Sequence, residues 1–163
     1  MDSRDRGIFV LRAVLGLGFL FAGLDKLLLG PFSAASFLAK STAGNWLGTA
    51  GINPTKDFWV SLAGNPAAVS VINVLVVSGE LAIGVSLILG LATRFASVCG
   101  VLMMTLFFVA QMSFASGPFN NQLMYGLIAG VIAYVGAGAY ALDSVVEKLA
   151  ITERIPVVKY ALG

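Results

Sequence analysis

From Val77 to Arg94 the chain reads V-S-G-E-L-A-I-G-V-S-L-I-L-G-L-A-T-R, and its one carboxylate, Glu80, interrupts a run otherwise uncharged from about Ala67 to Ala92. A run of this length predicts a membrane-spanning helix, because ~20 apolar residues cross the hydrocarbon core. Glu80 then lies near mid-bilayer. A carboxylate at that depth costs at least ~2.5 kcal/mol on insertion scales and faces a bundle interior, a partner or a pathway. Glu80 is therefore the first candidate functional residue.

The rest of the composition agrees with a membrane setting. Of 163 residues, 58% are hydrophobic and only 11% charged, whereas soluble domains carry ~25% charge. The length suits one domain, residues 1–163. The chain has no histidine and a single cysteine, Cys99. An intrachain disulfide is thereby excluded, as are haem held by histidine and the two-histidine iron site. Cys99 sits in the apolar run Val98 to Val101 and reads as a buried thiol. No haem or metal is expected to be held by this chain alone, and no nucleic acid is expected as a partner.

Upstream, Arg4 and Arg6 precede an apolar run from Ile8 to Leu29. It is longer than a signal-peptide core of ~7–15 residues, and Asp25-Lys26-Leu27 follows in place of a cleavage site. An uncleaved anchor is expected. Arg12, Gly16, Phe19, Gly23 and Lys26 share one face of this helix by their spacing, a packing face with cationic ends that bind an anion or carboxylate or snorkel to the interface. Beyond Gly30-Pro31 comes the longest connection, about residues 30–66, holding Trp46 and Trp59. Its prolines and its Phe37-Leu38 and Phe58-Trp59 pairs predict short amphipathic pieces at the membrane surface, either a cap over one mouth of the bundle or an interfacial belt.

On the second span, about 67–92, Asn73, Val76 or Val77, Glu80 and Gly84 fall on one face. Thr93-Arg94 is expected as the turn. A third span is expected over 95–114, a turn at Ser116-Gly117-Pro118, and a fourth span over 122–141, with a tail from 143 to 163. Small residues at helical spacing, Gly18/Ala22, Ala96/Gly100 and Gly126/Gly130, favour close packing. The expected fold is all-α: an integral membrane four-helix bundle with a long interfacial loop after the first span. Arg4, Arg6, Arg94, Lys148, Arg154 and Lys159 gather on one side, against Lys26, Lys40 and Lys56 on the other. By the positive-inside rule both termini are expected to be cytoplasmic in a multi-pass protein of the cell (plasma) membrane, with the long loop external.

Three blocks, L-R-A-V-L-G-L-G-F-L-F-A-G-L-D-K-L in the first span, S-G-E-L-A-I-G-V-S-L-I-L-G-L-A-T-R-F-A in the second, and G-A-G-A-Y-A-L-D at residues 136–143, together resemble the DoxX/DoxD family of four-span prokaryotic membrane proteins. The resemblance implies a four-helix membrane fold. For the DoxD branch it implies a membrane subunit of a thiosulfate:quinone oxidoreductase of the respiratory chain, and for other members roles in redox-enzyme complexes or chaperone-like roles. By position, the charged residues of the pattern are Arg12, Lys26, Glu80, Arg94 and Asp143.

The first expectation for function is a structural or accessory subunit of a membrane redox complex, in contact with the lipid bilayer and with other membrane subunits. There, Arg12 and Glu80 would form an internal ion pair that sets helix register. The alternative is a quinone-reducing catalytic subunit, with non-covalent quinone in a slot between spans one, two and four. Arg12, Lys26, Asn73 and Glu80 would meet the headgroup, and Arg12 and Glu80 would carry the chemistry. A second alternative is a membrane-protein assembly factor. Depth weighs against the pair: measured from the cytoplasmic ends of their spans, at ~1.5 Å per residue, Arg12 and Glu80 are offset by ~10 Å, which leaves Glu80 for another donor, such as a partner helix, or protonated. Anion capture, if present, would fall to the outer cluster of Lys26, Lys40, Lys56, Asn120 and Asn121.

Overall fold

Asn65-Pro66 sets the start of the central helix. The Asn65 side chain accepts from the backbone N–H of Ala67 and Ala68, and Pro66 occupies a first-turn position where its missing N–H costs nothing. At the other end Gly90 adopts a left-handed φ of 67° and stops the helix. The computed structural model describes residues 3–30, 32–40, 53, 55–111, 119–138, 140–146 and 162. Their elements are α1 (Ser3–Leu28), α2 (Ala34–Lys40), α3 (Lys56–Ala63), α4 (Pro66–Leu89), α5 (Thr93–Ala110), α6 (Asn121–Val135) and α7 (Asp143–Val146). Trp46, the turn at Ser116 to Pro118, the end of the expected third span, the Lys40 side chain, and Lys148, Arg154 and Lys159 of the tail lie outside the described residues.

α1, α4 and α5 are long and apolar enough to cross a membrane, and α6 is a shorter apolar helix. α1 packs along α4, and α5 along α6, with α4 joined to α5 by a tight turn. The α1–α4 seam is backbone against backbone. A Cβ on Gly84 would lie 2.6 Å from the Leu20 nitrogen and 2.9 Å from the Gly16 carbonyl oxygen. No side chain fits at this crossing. At the centre of the bundle Leu15, Phe19, Ile83, Leu87, Ala96, Met104, Ala129 and Ile132 form one core. Outward faces carry Val14, Phe21, Val74 and Leu102, all exposed, as acyl chains rather than water require.

Two boundaries differ from the sequence reading. Thr93-Arg94 is the first turn of α5, and the connection is residues 90–92, with Ala92 itself left-handed at φ 49°. α6 ends at Val135, short of the expected Ala141. Gly136 and Gly138 take positive φ values of 90° and 71° and turn the chain back beneath the bundle. The expected short pieces in the long connection are α2 and α3. They pack on one end of the bundle through Ala34, Leu38, Trp59 and Ala110, which is the position of a cap over one mouth.

Candidate functional site

Lys26, in the last turn of α1, reaches Glu80 in the middle of α4. Its ammonium donates to both carboxylate oxygens at 2.9 and 2.8 Å, and to the Ala22 carbonyl at 3.1 Å. The Phe32 ring lies 5.5 Å from the same nitrogen, within cation–π range. The Glu80 side chain is 3% exposed and that of Lys26 23%. A carboxylate so deeply buried needs a partner, and the pair is neutral as a unit. Sequence reasoning offered Arg12 as a partner for Glu80 because charges inside a membrane pair, although their depths differed by ~10 Å. In the fold the first two turns of α4 run past the end of α1, so the last turn of α1 meets the middle of α4.

The pair lies in the wall of a cavity of about 750 Å³. α1 contributes Gly18, Phe19 and Ala22, and α4 contributes Ile72, Leu75 and Val76; α2 and α3 close it with Phe37, Leu38, Phe58 and Trp59, while Met103, Phe107 and Tyr125 come from α5 and α6. Among the described residues, Lys26 and Glu80 are the only charged ones in this lining. Such a space fits an elongated apolar molecule with a small polar head. The slot expected between spans one, two and four therefore also takes in α5 and the two short helices. Gly18 and Ala22, read as a packing pair, line this space. The α1–α4 contact is made by Gly16, Gly23 and Gly84 instead.

The other two residues placed with Glu80 by sequence stand outside the cavity lining. Asn73 accepts from the Ala34 backbone N–H at 2.7 Å and so pins the start of α2. Arg12 is 1% exposed and sits at the opposite end of the bundle. Its guanidinium donates to the carbonyl oxygens of Ala137 and Tyr140, and Asp143 is close enough to attract its charge. Asp143 in turn accepts from the backbone N–H of Ala92 at 2.6 Å and of Thr93 at 2.9 Å, capping α5. A Cβ on Gly90 would lie 2.7 Å from Arg12 Nη1, so that glycine supplies both the turn and the space for the guanidinium. Arg12, the 90–92 turn and the 136–143 block make one clasp. Arg12 and Glu80 are separated by about ten residues of α4, or ~15 Å, and form no ion pair. Among the residues around the cavity, Phe32, Tyr125 and Trp59 were not singled out as site residues; an aromatic directly after the Gly30-Pro31 break was the available signal for Phe32.

The blocks that carry Lys26, Glu80 and the glycine seam also carry the relationship to known proteins: the DoxX family pattern matches residues 7–113. The chain belongs to the DoxX family. Comparison with curated proteins and with solved structures finds no match. The matched region of this DoxX protein spans α1 to α5 and includes Arg12, Lys26, Asn73 and Glu80, whereas Asp143 and the rest of the clasp segment follow it.

Proposed function

We propose that this DoxX protein is an accessory subunit of a membrane redox complex that holds a quinone-class carrier in the cavity lined by Lys26 and Glu80. The observation that carries the reading is an apolar space of about 750 Å³ whose wall includes one neutral ion pair. A quinone needs apolar walls for its tail and ring and a few polar groups for its oxygens. When bound, it supplies a two-electron, two-proton carrier. The residues that would hold it are Phe32, Trp59, Met103 and Tyr125 on the walls, with Lys26 and Glu80 at the head. With no histidine and one cysteine, the chain has few residues for a redox centre of its own, so the reading assigns electron transfer to a partner subunit. The quinone-reducing catalytic reading has one observation in its favour: Glu80, a group able to exchange a proton, lies where the head would sit. Arg12 takes no part in either version, since its charge is committed to the clasp.

The proposal places the protein in the plasma membrane, with both termini cytoplasmic and α2 and α3 outside. Single cysteines at Lys56 and Arg6 in a Cys99→Ala background test this: an impermeant thiol reagent applied to intact cells is expected to label the first and spare the second. Binding is tested through Trp59, which lines the cavity. In a Trp46→Phe background, decylbenzoquinone is expected to quench Trp59 emission saturably. Quenching that rises linearly without saturation means no site, and the reading fails.

A further inference from the structure

At the Lys26–Glu80 pair the cavity wall is better supplied with hydrogen-bond acceptors than with donors. An ammonium has three N–H bonds and no acceptor, and Lys26 has three partners for them: the carboxylate edge of Glu80, the Ala22 carbonyl and the Phe32 ring. A carboxylate offers about four lone-pair sites, and Lys26 takes up two of those on Glu80. The unspent capacity of the pair therefore belongs to Glu80, and it accepts.

We propose that the Lys26–Glu80 pair in the cavity wall selects an amphipath whose head donates a hydrogen bond, a hydroquinone or other hydroxyl, over the same molecule with a ketone head. This rests on the cavity-binding reading above and adds the chemical form that is held. A ketone oxygen needs a donor, and to obtain one from Lys26 it must displace the carboxylate, the Ala22 carbonyl or the aromatic face. A hydroxyl adds to the existing arrangement without breaking any of it. Tyr125 and the amides of Asn121 and Gln122 can also donate from the wall, but a bond from a neutral donor is weaker than one to an ionised acceptor, by about half. The hydroxyl chemistry is shared by a reduced quinone and by a lipid with a free alcohol, such as a diacylglycerol.

Competition binding on the whole protein in detergent tests the proposal. The tracer is tritiated decylhydroquinone dimethyl ether, which is redox-inert and cannot donate. The competitors are decylhydroquinone kept reduced under anaerobic conditions, decylbenzoquinone in air, and a short-chain diacylglycerol. One charge-assisted hydrogen bond predicts that the hydroquinone displaces tracer at about ten-fold lower concentration than the quinone. Glu80→Gln is expected to bring that ratio to one or to invert it, since Lys26 then has a donor to offer. The double variant Lys26→Met with Glu80→Gln keeps the site neutral and serves where the single variant fails to fold; there the ratio is expected to be about one. Equal displacement by hydroquinone and quinone in the parent protein overturns this proposal and leaves the cavity reading standing. Absence of saturable tracer binding, or of displacement by any competitor, overturns both. Loss of the preference in Tyr125→Phe, with Glu80→Gln unchanged from the parent, overturns the assignment to Glu80. Displacement by diacylglycerol matching the hydroquinone supports hydroxyl selection and identifies lipid as the source, at the expense of the quinone reading.

Discussion

The two buried charge clusters of this bundle, ~15 Å apart along α4, answer the same problem in opposite ways. At one end the Arg12 guanidinium is enclosed by backbone carbonyls of the 136–143 segment, beside a carboxylate that is itself spent capping α5. At the other, Lys26 and Glu80 satisfy each other and border an apolar space. A charge that ties together three pieces of chain can do little else. A neutral pair on a cavity wall keeps lone pairs for a visitor. Burial alone does not tell the two clusters apart; what their partners are, and what space they border, does.

The sharpest way to break this comparison is to remove Arg12. Arg12→Ala leaves two inward carbonyls and Asp143 without their cation, a loss of about 3–5 kcal/mol by the measure of broken buried pairs. Reversible unfolding in mixed micelles is expected to show it, while the fraction that stays folded should bind cavity ligands with unchanged affinity. Weakened binding at full stability would reverse the roles of the two clusters.

Gly84→Ala asks whether the clusters are coupled through the seam between them. The added methyl would sit 2.6 Å from the Leu20 nitrogen, so α1 and α4 must separate at a cost of about 1–3 kcal/mol. Both Arg12 and Lys26 ride on α1, and stability and Trp59 quenching are expected to fall together. A loss of stability with intact quenching would mean that the cavity tolerates a shift of α1.

A double-mutant cycle on Lys26→Met and Glu80→Gln measures the pair itself. A coupling of about 1–2 kcal/mol is expected, with the double variant more stable than the sum of the singles, because a lone buried charge costs more than none. Zero coupling would make the contact incidental. The smallest effect is expected at Asn73→Ala, which removes one hydrogen bond to the start of α2 for about 0.5–1.5 kcal/mol. Its readout is faster proteolysis of the connection between α1 and α4, with little change in global unfolding.

Much of the bundle was legible in the chain because its signals are local. Apolar runs mark α1, α4 and α5. The expected starts at about 67 and 122 fall within a residue of those of α4 and α6, which Asn65 and Asn120 cap, and the glycine-rich face of α1 does meet another helix. Glu80 stood out by its charge alone. Its partner did not, because that depends on axial stagger. The sequence reading put Arg12 and Glu80 ~10 Å apart in depth but could not tell which donor Glu80 meets; in the fold α4 overruns α1, and the last turn of α1 brings Lys26 to it. Arg12 was misassigned for a different reason: its acceptors are main-chain carbonyls, which carry no residue signature. Asn73 shows the same limit, since its partner is the N–H of Ala34 on another helix.

What the sequence by itself determined is the solvent and the secondary structure. Hydrophobic length, a scarcity of charge and well-placed caps dictate membrane-crossing helices, because an apolar environment leaves the backbone no other way to satisfy its polar groups. Only the tertiary structure decided which charges meet and which border open space. Those outcomes depend on how far one helix slides along another and where an irregular segment folds back, and both are set by the summed packing of many side chains. Lys26 and Arg12 lie on one face of one helix; the fold gave one a cavity and the other a clasp.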